Sequence, residues 1–144
     1  MIRSPPPQES AMPLIQITLA GPAPSPAIIN SLQRETTRLM RDVLHKEAAL
    51  TVVGISHLPA GAVTAGGEPV AAAAWLQGLI TAGTNSAAEK AAFIAAAEAM
   101  LAAALGASAA PTYVALQELP ATDWGYDGRT QAARRQEHLA GGAA

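Results

Sequence analysis

From Leu14 to Leu19 apolar and polar positions alternate with a period of two, Ile15 and Ile17 on one face and Leu14, Gln16 and Thr18 on the other. That is the pattern of a strand. After the loop Ala20–Pro24 the period changes. Ser25-Pro26 is a helix start, because serine caps free N–H groups and proline suits the first turn. Ile28, Leu32, Leu39 and Val43, with Ile29, Met40 and Leu44, then fall at spacings of three, four and seven. They form one apolar stripe on a helix running to about His45. Arg34, Arg38 and Arg41 lie largely off the stripe, as a solvated face does. Leu50–Leu58 is rich in β-branched residues and predicts a second strand, followed by Leu58-Pro59-Ala60-Gly61 and a glycine-containing turn through Gly66-Gly67. Ala72–Ile80 predicts a third strand. Ser86-Ala87-Ala88-Glu89 is a capping box, opening an alanine-rich helix that runs to Leu105 and stops at Gly106. Thr112–Glu118 is the fourth strand, leading into Leu119-Pro120-Ala121 and a loop with Trp124-Gly125.

The elements repeat. An offset of 61 residues lays Leu50-Thr51-Val52-Val53 over Pro111-Thr112-Tyr113-Val114, and His57-Leu58-Pro59-Ala60 over Glu118-Leu119-Pro120-Ala121. An offset of 62 lays Pro13 over Trp75, which makes Trp75 the head of the third strand and a core or interface residue, and Ala20-Gly21 over Ala82-Gly83. The chain therefore reads as two β-α-β units, about 13–67 and 72–128, in one domain over 13–131. A crossover of that size makes the strands of each unit parallel and right-handed in connection. Two units side by side give an α+β fold: a four-stranded mixed sheet with two helices on one face. The other face carries apolar residues too, so an oligomer is expected. Residues 1–12, Pro-rich and without period, read as a flexible leader, and 132–144 as a flexible tail.

Composition narrows the chemistry. The net charge is −2 and Arg134-Arg135 is a pair, not a basic patch, which argues against nucleic acid as a partner. There is no cysteine, and His45, His57 and His138 form no HxxxH spacing, so neither a thiolate nor a metal centre is expected. Residues 1–27 have prolines where a signal peptide would be apolar, and Ala91–Ala110 is alanine-rich with Glu98 inside it, a buried helix rather than a membrane span. A cytoplasmic protein is expected, without a membrane partner.

A duplicated β-α-β unit headed by Met12-Pro13-Leu14-Ile15 resembles the tautomerase superfamily, which includes 4-oxalocrotonate tautomerase and macrophage migration inhibitory factor. The fused form is similar to cis-3-chloroacrylic acid dehalogenase and malonate semialdehyde decarboxylase. The resemblance covers about residues 12–131 and is carried by Pro13-Leu14-Ile15, the Leu58–Gly67 turn, and Glu118-Leu119-Pro120-Ala121 with Trp124-Gly125-Tyr126-Asp127-Gly128. It implies a homotrimer without a metal or organic cofactor, and a catalytic amino-terminal proline. A free proline amine in an apolar pocket loses basicity toward neutrality and can shuttle a proton. An internal proline has only an amide nitrogen. Either translation starts at Met12 and removal of that methionine exposes Pro13, or residues 1–12 persist and the site is blocked.

The resemblance implies Pro13 as the catalytic base and Trp124 as a wall of its pocket. Tyr113 and Tyr126 are candidate donors to a substrate carbonyl. The family's carboxylate-binding arginines fall on Ala23 and Val52, or on Thr81 and Thr84, and the dehalogenase's further polar residues fall near Met40, Ala115 and Tyr126. That leaves an apolar pocket or a carboxylate partner elsewhere, with Arg129 or an arginine of the first helix as candidates. The expected function is keto–enol isomerisation of a small 2-oxo acid or aryl pyruvate. The alternatives are a catalytically degenerate oligomer serving structure or binding, and a decarboxylase- or hydratase-type relative.

Overall fold

The computed structural model describes residues 12–106 and 112–142, with side chains placed through Glu137. Four strands, β1 (Leu14–Ala20), β2 (Val52–Leu58), and two described below as β5 and β6, form one sheet. Between β1 and β2 runs α1 (Pro26–Asp42), capped by the Ser25 hydroxyl, which accepts from the Ile28 N–H at 3.2 Å. The helix ends three residues before the expected His45, and His45 itself takes φ 59°. Strand β2 likewise begins at Val52 rather than Leu50, because Leu50 and Thr51 donate their N–H groups to Glu47 and Ala48 in a short turn. A hairpin of β3 (Thr64–Ala65) and β4 (Glu68–Pro69) follows, and then β5 (Ala73–Thr81). Helix α2 (Ala87–Leu105) has the full capping box: Glu89 N–H to the Ser86 hydroxyl at 3.1 Å, and Ser86 N–H to the Glu89 carboxylate at 2.8 Å. Strand β6 (Thr112–Leu119) leads to a second hairpin, β7 (Gly125–Tyr126) and β8 (Arg129–Thr130).

The sheet order is β2-β1-β5-β6, with the outer pairs parallel and β1 antiparallel to β5. This is the expected mixed sheet. Ile15, Ile17, Leu19, Leu76 and Ile80 point from it into a core closed by Leu32, Leu39, Met40 and Leu44 of the α1 arm and by Phe93, Ala97 and Leu101 of α2. The opposite face exposes Leu14, Val52 and Tyr113.

A single offset of 61 relates the halves throughout. Leu14 pairs with Val52 as Trp75 pairs with Tyr113. Gly21 N–H bonds the Leu58 carbonyl as Ala82 N–H bonds that of Leu119, and the caps Ser25 and Ser86 correspond. Hairpin turns Gly66-Gly67 and Asp127-Gly128 match in position and in positive φ. The offset of 62 for the strand heads is thus corrected: Pro13 corresponds to Ala74, not Trp75. Ile15 and Leu76 are both buried under this match, whereas an offset of 62 would exchange the two faces of the strand. Trp75 is half-buried on the open face, opposite Thr18.

One element differs from expectation. Residues 131–142 form helix α3 (Gln131–Gly142) instead of a flexible tail. Thr130 opens it, its hydroxyl accepting from the Ala133 N–H at 3.0 Å, and Gln-Ala-Ala-Arg-Arg-Gln are good helix formers. The expected leader, residues 1–11, lies outside the described residues; Met12 is within them. No helix among the described residues is long and apolar enough to cross a membrane.

Candidate active site

Pro13 is fully buried at the head of β1. Its carbonyl accepts from the Val52 N–H at 3.0 Å, which ties the head of β1 to the edge strand β2. Met12 precedes it and is held by the side-chain amide of Gln131, the first residue of α3. The Gln131 Oε1 accepts from the Met12 N–H at 3.2 Å, and its Nε2 donates to the Met12 carbonyl at 3.3 Å. The main chain of Gln131 in turn donates to the Trp124 carbonyl at 2.9 Å. So the second hairpin and α3 fold back onto the head of β1, and consecutive bonds link Met12, which precedes Pro13, to Gln131 and Trp124.

The neighbouring corner is the end of β5. Continuing the β1–β5 register beyond Leu14 and Leu79 sets Met12 opposite Thr81. The Thr81 carbonyl accepts from the Thr84 hydroxyl at 2.6 Å, and that hydroxyl accepts from Lys46 Nζ at 2.8 Å. Lys46 is only 4% exposed, and burial lowers its pKa from the ordinary 10.5 to about 8, partly offset by Glu89 and Glu118. The positions matched to the dehalogenase's arginines, Thr81 and Thr84, are therefore joined to a lysine. Sequence reasoning had no signal for it, because Lys46 lies just past the helix end and far in sequence from both threonines.

Three buried side-chain polar atoms have no partner among the described residues: Thr81 Oγ1, Trp124 Nε1 and Arg134 Nε. Trp124 and Arg134 flank Gln131 along the chain, and Thr81 lies across from Met12. Tyr126 sits on β7 with the Arg134 guanidinium 4.1 Å over its ring, and Arg134 also donates to the Tyr126 carbonyl at 3.3 Å. Of the predicted site residues, Trp124 and Tyr126 lie on the hairpin that leads into α3, and Gln131 of α3 bonds the residue just before Pro13. Arg129, on β8, is ion-paired with Glu137. Tyr113 is elsewhere: it is 70% exposed on the open sheet face beside Trp75.

The arginines of α1 are also accounted for. Arg38 pairs with Glu35 and Asp42, and Arg41 with Asp42, which lowers both carboxyl pKa values through these bonds. Arg34 lines a groove of about 810 Å³ between α1 and α2, away from Pro13. Gln131 and Arg134 went unrecognised in the sequence because the helix carrying them reads as a charged, alanine-rich end.

Solved structures with this architecture put the corner in context. A fused 4-OT wild-type symmetric trimer, Q0, is 25% identical and superposes with a TM-score of 0.75 over 83% of this chain and 97% of the other. Pt0534 inactivated by 2-oxo-3-pentynoate is 17% identical with a TM-score of 0.74, over 83% and 98% of the two chains. A macrophage migration inhibitory factor-like protein from Entamoeba histolytica is 19% identical with a TM-score of 0.68, over 83% and 98%. No family profile and no curated protein sequence matches the chain. In fold the chain is a fused two-unit, tautomerase-like protein.

Proposed function

We propose that this fused two-unit tautomerase-like chain is an isomerase that interconverts the keto and enol forms of a small 2-oxo acid or aryl pyruvate. Its base is the amine of Pro13 once residues 1–12 are removed. The observation that carries this reading is the burial of Pro13 directly behind a methionine. A secondary amine created there has little water to stabilise its cation, so its neutral form is favoured near pH 7. It takes a proton from one position of the substrate and returns it to another, with no net change in atoms. Trp124 walls the pocket, and Tyr126, braced by Arg134, is the donor to the substrate carbonyl. Inactivation of Pt0534, a structural neighbour, by 2-oxo-3-pentynoate supports a 2-oxo acid as the substrate class. The fused 4-OT neighbours are trimers, and a homotrimer would bury the apolar open face of Leu14, Val52 and Tyr113.

A second reading rests on the hold that Gln131 has on Met12. If the leader persists, the nitrogen of Pro13 stays an amide and the chain is a binding or structural oligomer. Ketonisation of phenylenolpyruvate and of 2-hydroxymuconate, followed by ultraviolet absorbance, separates the two. Protein beginning at Pro13 should be active and the full chain silent. Silence in both, with intact folding, excludes the isomerase.

A further inference from the structure

The two halves share their backbone but not the residue that opens α3. At the offset of 61, Gln131 corresponds to Val70 and Met12 to Ala73. Val70 N–H bonds the Val63 carbonyl at 3.1 Å, as Gln131 N–H bonds that of Trp124. In the first half only Ala71 and Ala72 separate Val70 from Ala73, so covalent continuity joins the hairpin to the strand. In the second half the same junction is a side-chain amide gripping the backbone of Met12. The backbone geometry is therefore made without a carboxamide in one copy. What the carboxamide adds in the other is a donor–acceptor pair, 2% exposed, aimed at the atoms immediately before Pro13.

Removal of Met12 strips that pair of both partners. An amide kept buried there without partners would cost about 1–3 kcal/mol, and Thr81 Oγ1 and Trp124 Nε1 are also buried without partners among the described residues. The missing partner has a definite shape: an N–H donor and a C=O acceptor on adjacent carbons, Cα and C. The enol of a 2-oxo acid carries the same arrangement, an O–H donor on C2 and a carboxylate oxygen on the adjacent C1.

We propose that Gln131 is the substrate-orienting residue of the Pro13 site. Its Oε1 accepts from the enol hydroxyl and its Nε2 donates to a carboxylate oxygen, in the slot that the Met12 backbone fills in the longer chain. The proposal rests on Pro13 being the amine-bearing terminus. It gives the pocket a neutral, donor–acceptor reader of 2-oxo acids at a site whose family arginine positions carry other residues. Because Met12 C=O is bonded directly to the nitrogen of Pro13, a ligand in that slot lies against the amine.

The test compares labelling of Pro13 by two acetylenic ketones, 2-oxo-3-pentynoate and its uncarboxylated analogue 3-pentyn-2-one, read by mass spectrometry of the amino-terminal peptide. Protein beginning at Pro13 is used as wild type, as Gln131→Val (the residue of the other half) and as Gln131→Glu. In wild type both reagents label Pro13. Gln131→Val should slow the carboxylated reagent about 10- to 100-fold, the loss expected for a hydrogen bond to a charged group. It should leave the uncarboxylated reagent within about twofold, while Gln131→Glu slows the carboxylated one further by like-charge repulsion. An unchanged ratio of the two rates in both variants overturns the role of Gln131 while leaving Pro13 as the reactive amine. No labelling of Pro13 in folded wild type overturns both readings.

Discussion

The first and second β-α-β halves are the same backbone with different side chains at the points where a fold can become a site. Strand heads Pro13 and Ala74 are both buried, yet Ala74 lies within β5 while Pro13 directly follows Met12, whose backbone Gln131 holds. The hairpins end alike, but Val70 continues into β5 and Gln131 turns back onto Met12. The first helix carries an arginine-rich outer face with its charges paired on Glu35 and Asp42; the second is almost all alanine and apolar outside its first turn. The two copies share the scaffold, and the proposed function places chemistry at only one of the two strand heads.

The largest test of the shared scaffold is its core. Leu32 and Phe93 occupy equivalent sites and pack into one cluster. Phe93→Ala should cost about 3–5 kcal/mol and Leu32→Ala about 2–5 kcal/mol in urea unfolding, each in a single transition. Two separate transitions would mean that the halves fold independently.

Lys46 distinguishes the halves next. Burial depresses its folded pKa to about 8 from 10.5, so between those values the unfolded chain binds more protons than the folded one. Stability should therefore rise with pH across that window, by on the order of 3 kcal/mol, and remain at its lower level below it. Lys46→Met should remove that slope. A slope unchanged in the variant would assign it to other groups.

The helix caps sharpen the comparison on a finer scale. Ser86 has a reciprocal partner in Glu89, whereas Ser25 accepts one bond and faces Ile28. Ser86→Ala should cost about 1–2 kcal/mol and Ser25→Ala about 0.5–1 kcal/mol by thermal unfolding. Equal losses would mean that the box adds nothing.

The smallest effect is at the helix ends, where His45 and Gly106 both take positive φ, 59° and 83°. A side chain is disfavoured there, so His45→Gly should gain up to about 1 kcal/mol in the same melts. The contact of His45 Nε2 with the Glu89 carboxylate at 3.2 Å, more than half exposed on the histidine side, offsets little of this. A destabilised variant would show that the contact outweighs the backbone.

Much of this was legible beforehand. Alternation in Leu14–Leu19, the stripe of Leu32, Leu39 and Met40, and the serine caps each encode a local rule, and those elements lie where the rules put them. The repeat was also visible from the Leu-Pro-Ala turns. What a linear reading could not fix was the phase of the alanine-rich third strand, since alanine is compatible with either face; only pairing with β1 sets it, and with it the partner of Pro13. Helix α3 was hidden for a related reason. Its start signal is a lone Thr130, and its docking depends on Gln131 reaching an element 119 residues away in sequence. Lys46 and Gln131 join the corner through such long-range contacts, so the proline was legible and its surroundings were not.

The function proposed for Pro13 requires that burial at the head of β1 make its amine a base. The direct measurement is a ¹⁵N NMR titration of Pro13 in protein that begins there, with proline selectively labelled. The buried corner predicts a single titration of that amine at or below about pH 7, below the ordinary α-amine range of about 7.7–8.0. An amine that remains protonated to pH 8 or above would contradict it.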